Sequence, residues 1–379
     1  MFAVARYNEI KVIAPIPFFP FLKLLKKFDN NLIPTREIQD GIDVYHPRFF
    51  YIPGLFKFLD GFFYFLSIIY LVIKIKKEFK FELIDAHFAY PDGLAAVLIS
   101  KALNVPVIIT LRGVDVIRYS KYFIRKLLIK YTLNHATEVI SVSNDLRLKA
   151  IQVFNINRYI SVIPNGIDLS LFKPIDKNIA REKLELPLDK EIILSIGGLV
   201  ERKGFHRVIK ILPSLLKKKP NLLYIIVGGP CREGNIEQQI RKMIKELSLE
   251  NHVLMTGEVP NDAIGYWINA ADIFCLVTSN EGWANVFFEA FACGKPVVTT
   301  KIGGNPEVIK DTEYGILIEL NSERELEEAL IKGLDTKWNK QQIINYAKSN
   351  TWEYVAKEVI QLFEKVIHNQ YNLKGNIVV

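Results

Sequence analysis

Ten short runs rich in Val, Ile and Leu punctuate this 379-residue chain, and helical stretches separate nearly all of them. That alternation dictates an α/β fold with parallel sheets, because successive parallel strands need a crossover between them. The first five strands are expected at residues 11–15, 83–87, 106–111, 138–143 and 160–166. The second five are expected at 191–198, 222–229, 252–257, 272–279 and 296–300. Between the two sets lies "PNGIDLSLFKPIDKN", residues 164–178, rich in Pro, Asn, Gly and Asp and directly following a strand. The chain is too long for one ordinary core, so the pattern predicts two doubly wound domains, residues 1–168 and 169–350. In such sheets ligands bind beyond the carboxyl ends of the strands, which makes the strand-end motifs the ones to read.

Composition narrows the classes. Half the residues are hydrophobic and 24% are charged, which is globular rather than disordered composition. The cysteines Cys231, Cys275 and Cys293 form no CxxC pair, which argues against a disulfide framework or a zinc site and suits a reducing compartment. Residues 1–10 show no apolar core behind a basic start, so no signal peptide is expected. Residues 61–73 form an uncharged, aromatic-rich run, shorter than the roughly 20 residues of a membrane span. Lys74, Lys76 and Lys77 close it, and a buried helix packing on a sheet is the expectation.

Charge is unevenly placed. The net +8 lies entirely in residues 1–170, with 22 Lys and Arg against 14 Asp and Glu; the remainder holds 27 against 27. Three helical clusters carry it: "FLKLLKKF" at 21–28, "IKIKKEFK" at 73–80 and "KYFIRKLLIK" at 121–130. Basic residues interleaved with Phe, Leu and Ile suit an anionic membrane surface, and solvated helix faces are the alternative. Nucleic acid is not expected as a partner, since no nucleic-acid motif accompanies the charge.

Several second-half strands end in glycine, in "SIGGLVERKG" (195–204), "IVGGPCREG" (226–234) and "TGEVPND" (256–262). Neither GxGxxG nor GxxxxGK(S/T) occurs there, so the dinucleotide and P-loop fingerprints are missing. Lys203 stands just before a helix opening at Gly204, where a cation beside helix N–H groups makes a phosphate site; an exposed lysine is the other reading.

The richest stretch is "SNEGWANVFFEAFACGKPVVTTKIGGNPEVI", residues 279–309. A strand ends near Ser279, "NEGWAN" is its loop, and a helix is expected over 284–293 with Gly294 ending it. Glu281 precedes the helix and Glu289 lies inside it among Val286, Phe287, Phe288, Ala290, Phe291 and Ala292. Glu281 fits a helix cap, and Glu289 fits an internal salt bridge or a solvent-facing position. Together they also fit acceptors for vicinal hydroxyls while backbone N–H groups hold phosphate, the combination a sugar nucleotide presents.

On "EGWANVFFEAFACGKPVV", "GGNPEVI", "VIPNGIDLSLFKP", "GGLVERKG" and "DAHFAYPDG", taken jointly, the chain resembles the retaining glycosyltransferases of family 4, in the branch making cell-surface polysaccharides of teichuronic-acid type. The resemblance implies a GT-B fold, two Rossmann-like domains facing a central cleft, with a C-terminal helix over 351–379 crossing back to the first domain. It implies that Glu289 holds the ribose hydroxyls, Glu281 the donor-sugar hydroxyls and Lys203 the diphosphate, with the backbone around Gly282, Trp283, Ala284, Asn285 and Val286 on sugar and phosphate. Many members carry arginine at Gly198; here Arg202 is the expected substitute. Many carry a cleft histidine in an "HG" motif where this chain reads "LRG" with Arg112, so His87 is the catalytic candidate, with a buried structural histidine as the alternative. Members open with a strand and glycine-rich loop ahead of "KVIAP", and that segment is expected to be missing here.

The implied function is sugar transfer, with retention, from a nucleoside-diphosphate sugar to a membrane-associated glycan or lipid-linked acceptor, at the cytoplasmic face of the cell membrane. No Asp-x-Asp motif is evident, so no metal or other cofactor is expected. The rival expectations are a nucleotide-sugar-binding protein without transfer and a GT-B sugar-nucleotide epimerase.

Overall fold

The computed structural model describes residues 2–18, 33–52, 54, 56–231 and 233–375, which leaves the basic cluster at 21–28 outside them. The chain divides into two compact units, one of Met1–Pro164 with Val355–Val379, the other of Asn165–Tyr354. The division falls four residues before the expected break at 168/169. Ile167 belongs to the second unit because its N–H donates to the Asn350 carbonyl (2.9 Å) and its own carbonyl accepts from Trp352 N–H (3.2 Å).

In the first unit, β1 (Lys11–Ile13), β2 (Ile16–Phe18), β3 (Arg36–Gln39), β4 (Ile42–Tyr45) and β5 (Arg48–Phe50) form two small sheets, β1-β4-β3 and β2-β5. The β3/β4 hairpin turns at Asp40-Gly41, both at positive φ (47° and 81°), as a two-residue Asp-Gly turn demands. A parallel sheet follows, β6 (Ile84–His87), β7 (Val107–Leu111), β8 (Glu138–Ser141) and β9 (Ser161–Val162), in that order. Val366, with Leu362 and Phe363 beside it, packs on Ile108 and Ile140 of this sheet.

The helix Asp60–Phe79 corrects the expectation for residues 61–73. It runs through the lysines, and it is long and apolar enough to cross a membrane by length and composition. Tyr64, Ile68 and Val72 pack with Ala95 and Ile99 of the helix Asp92–Leu103. The opposite stripe, Phe62, Leu66 and Tyr70, is exposed, so the helix is buried on one side only.

In the second unit six parallel strands form one sheet: β10 (Glu191–Ile196), β11 (Leu222–Val227), β12 (Val253–Gly257), β13 (Ile273–Leu276), β14 (Val297–Thr300) and β15 (Gly315–Ile318). Their order is β12-β11-β10-β13-β14-β15, so the winding reverses between β10 and β13. Every residue of β11 is buried, the continuous apolar run of a strand covered on both faces. The helix Phe205–Lys218 buries Phe205, Val208, Ile209, Leu212 and Leu215 at helical spacing.

The start of the β10/β13 pair is latched by Arg181, which is fully buried. Its guanidinium donates to the carbonyls of Ala270, Leu188 and Lys190 and to Asp272 Oδ2, each at 2.9 Å. Asp272 Oδ2 also accepts the Ile192 N–H at 2.7 Å. Arg181→Leu removes one partner of a largely buried pair and is expected to destabilise the protein by about 3–5 kcal/mol. Urea unfolding checks it, and a loss below about 1 kcal/mol would contradict the latch.

Candidate functional site

Beyond the carboxyl ends of β10 and β13, on either side of the winding reversal, two loops meet. After β10 the chain makes the 3-10 turn Glu201–Lys203 and enters the helix Phe205–Lys218 through Gly204, at φ 77°. After β13 residues 277–284 lead into the helix Asn285–Ala292, within one residue of the expected span at each end. Backbone ties lock the loops: Ser279 N–H donates to the Arg202 carbonyl (2.8 Å), and Gly304 N–H to that of Glu281 (3.1 Å). At Gly303, with φ 59°, a Cβ would stand 2.0 Å from the Glu281 oxygen, so only glycine lets the "GGNPE" loop press on the site.

The loops bring Lys203, Arg202 and Glu281 together. Glu281 Oε2 accepts from Lys203 Nζ at 2.9 Å and from the Arg202 guanidinium at 3.1 Å. Glu281 is therefore an ion-pair hub rather than the helix cap that its position allowed. Arg202 also grips Glu233, with Nε on Oε2 at 2.6 Å and a terminal nitrogen on Oε1 at 3.1 Å. Burial works against the Arg202 charge, but Glu233 and Glu281 overcome it and hold the guanidinium above its ordinary value.

Glu289 is different. Among the described residues no hydrogen bond or ion pair reaches its carboxylate, so the internal salt bridge is ruled out. Burial pushes its carboxyl up to about 7, opposed only by the Lys203 charge. The residue is part-buried by its exposed area, on a helix whose other side chains are mostly apolar.

The helix that follows Glu281 and carries Glu289 has Ala284 at its start, whose side chain cannot cap, and among the described residues no side chain takes the N–H groups of its first turn. Asn285 Oδ1 accepts from Asn165 Nδ2 at 2.9 Å. The Trp283 ring stacks on Phe288, with centroids 5.7 Å apart, and Val286 packs against the core. Gly282 is buried, and Gly198 lies in the loop after β10.

His87 belongs to the first unit, at the end of β6, and is half-exposed rather than buried. Arg112 donates to its Nδ1 at 2.5 Å, and its Nε2 lies 3.3 Å from Asp85 Oδ2. A guanidinium has only protons to give, so Nδ1 is the acceptor and Nε2 carries the ring proton toward Asp85. Two residues escaped the sequence reading. Glu233 joins the ion-pair hub from a third loop. Asp115, fully buried, accepts N–H groups from Ala89 (2.9 Å), Gly113 (3.1 Å) and Val116 (3.2 Å), tying the loops after β6 and β7 together. A lone aspartate in "RGVDVI" was its only sequence signal.

Comparison with known proteins fits this geometry. Residues 176–350 match the family described as Glycosyl transferases group 1, and residues 16–171 match Glycosyltransferase Family 4. The chain is 31% identical over 330 residues to the "Putative teichuronic acid biosynthesis glycosyltransferase TuaC" of Bacillus subtilis (strain 168), covering 86% of this chain and 80% of that one. Among solved structures, sucrose-phosphate synthase (tll1590) from Thermosynechococcus elongatus superposes with a TM-score of 0.80 at 20% identity, over 97% of this chain and 91% of that one. Anabaena Alr3699/HepE, in complex with UDP and glucose, gives 0.72 at 18%, over 94% and 100%. The fold is thus GT-B, with two α/β domains.

The Glu289 shift has a stability consequence with a definite sign. Below about pH 4.5, the ordinary carboxyl value, both folded and unfolded chains hold the proton and the group costs nothing. Between 4.5 and about 7 the unfolded chain releases it first, so stability falls as pH rises, and above 7 the full penalty remains. Glu289→Gln mimics the protonated form. It is expected to match the parent near pH 4.5 and to exceed it by on the order of 1–3 kcal/mol at pH 8, in ligand-free urea unfolding. Equal stability at both pH values would contradict it.

Proposed function

This chain belongs to the family 4 glycosyltransferases of GT-B fold, and from that premise we propose that it is a retaining enzyme that moves a sugar from a nucleoside diphosphate to a membrane-associated polysaccharide or lipid-linked acceptor. The observation that carries the reading is Glu289, a largely buried carboxylate with no partner among the described residues, inside the helix that follows a carboxylate already holding two cations.

In this reading Glu289 accepts the ribose hydroxyls and Glu281 the hydroxyls of the donor sugar. Lys203 and Arg202, with the first-turn N–H groups of the helix Asn285–Ala292, neutralise the departing diphosphate. Charge develops on that phosphate as the glycosidic bond breaks, so fixed donors near it lower the barrier without reorganising. A departing phosphate oxygen takes the proton of the incoming hydroxyl on the same face of the sugar, which retains the anomeric configuration. The UDP and UDP-glucose complexes of Anabaena Alr3699/HepE support a nucleotide-sugar donor, and the name of the Bacillus subtilis relative supports a surface-polysaccharide product. His87, whose Nδ1 accepts from Arg112, is the catalytic histidine in this reading. A binding protein without transfer and an epimerase draw no support from these observations.

Transfer from a radiolabelled donor tests the activity, and proton NMR of the new linkage tests retention. Glu289→Gln is expected to weaken nucleoside diphosphate binding by about 1.5–3 kcal/mol in calorimetry. Unchanged affinity in the folded variant would sink the ribose role.

The acceptor reading includes a membrane surface. Leu66 and Tyr70 on one helix, with Phe123 and Leu127 on the helix Phe123–His135, are exposed among Lys74, Lys77, Arg125 and Lys126. Exposed apolar side chains bordered by cations suit the headgroup region of anionic lipid, at the inner face of the cell membrane. The protein is expected to sediment with phosphatidylglycerol vesicles at low salt, less at 0.5 M salt and in Phe123→Ser, and not with phosphatidylcholine vesicles. Equal binding to both vesicle types would overturn this.

A further inference from the structure

Within the donor site just proposed, we infer that Glu233 is a carboxylate gate: it occupies the phosphate-facing cation Arg202 in the ligand-free protein, and the donor diphosphate must displace it. The inference rests on the reading of Arg202 and Lys203 as diphosphate ligands.

The geometry is that of a phosphate stand-in. Both Glu233 oxygens engage one guanidinium, at 2.6 and 3.1 Å, the two-pronged arrangement by which arginine also grips phosphate. Two cations, Lys203 and Arg202, thus face two carboxylates, Glu281 and Glu233. An incoming diphosphate meets a site whose positive charge is already matched. Glu281 has a second cation and can keep Lys203 when Arg202 is taken. The Glu233 side chain is 37% exposed, so it can swing into water when Arg202 is taken.

The local backbone explains why a carboxylate reaches this spot. Cys231 and Gly234 exchange N–H···O bonds (3.1 Å each), closing a tight turn that holds Glu233 out at its tip. That turn lies directly on Gly198: a Cβ there would stand 2.8 Å from Cys231 Sγ. Ile236 N–H donates to the Leu199 carbonyl at 2.8 Å, and Leu199 N–H to that of Gly229 at 2.9 Å. Lacking a side chain at 198, the chain lets the loop after β11 settle onto the loop after β10 and bring its own anion with it.

The test is calorimetry with UDP, GDP and ADP, and with uridine as a phosphate-free probe, on the full chain. It uses the parent, Glu233→Gln, Arg202→Ala and the double variant, with thermal unfolding to confirm folding. Glu233→Gln keeps the shape and removes the competing charge. It is expected to bind the preferred nucleoside diphosphate about three- to tenfold more tightly, the scale of releasing a partly exposed ion pair, with uridine unchanged. The gain is expected to vanish in the Arg202→Ala background. Equal or weaker binding by Glu233→Gln, or a gain that persists without Arg202, overturns the gate while parental nucleotide binding leaves the donor reading standing. If the parent and every variant bind no nucleoside diphosphate, the donor reading falls and the gate with it.

Discussion

The site depends on which strands lie side by side in the second unit. β10 pairs with β13 across a chain separation of 80 residues, with Ile193 opposite Ile273 and Leu194 opposite Phe274. The Arg181–Asp272 cluster sets that pairing at the strands' amino ends, and the Ser195 hydroxyl donates to the Cys275 carbonyl further along. A slip of one residue would turn every side chain on β13 to the other face of the sheet. It would also carry Glu281 away from Lys203, since the loops at the other end inherit the register. The geometry of this ion-pair cluster is a by-product of strand pairing at the far end of the sheet.

Two kinds of carboxylate sit in this one site. Glu281 is satisfied by cations and adds to the cohesion of the loops, whereas Glu289 has no partner among the described residues and costs stability when ionised. In the proposed reading that opposition is expected, since groups that serve a ligand are left unsatisfied in its absence. The apolar neighbours of Glu289 hold it in place and also raise the cost of leaving it charged.

Much of this was legible in the sequence, for identifiable reasons. All ten expected strands exist, because buried parallel strands read as unbroken aliphatic runs. Lys203, Glu281 and Glu289 were legible because each breaks the pattern around it. The β3/β4 hairpin carried its signal in "QDGI" and went unread, because its strands are four residues long and β3 is largely exposed. β2, β5 and β15 are three or four residues each, too short to show a period. The exposed stripe of the helix Asp60–Phe79 could not be read, since it is as apolar as the stripe that packs. Glu233 was invisible because it meets Arg202 across 31 residues and belongs to no local pattern.

The first unit is assembled from two pieces of chain, and the second is a continuous insert within it. On the ribosome, residues 165–354 are complete while the sheet β6–β9 still lacks the helix residues around Val366 that cover Ile108 and Ile140. Synthesis order and folding order therefore differ: the later-coded unit can close its core first, and the earlier one waits with apolar surface uncovered. It waits for the docking of a helix made after the second unit. Of the two units, the one coded first is in this sense finished second, and the interval before that docking is when a chaperone would find most to hold.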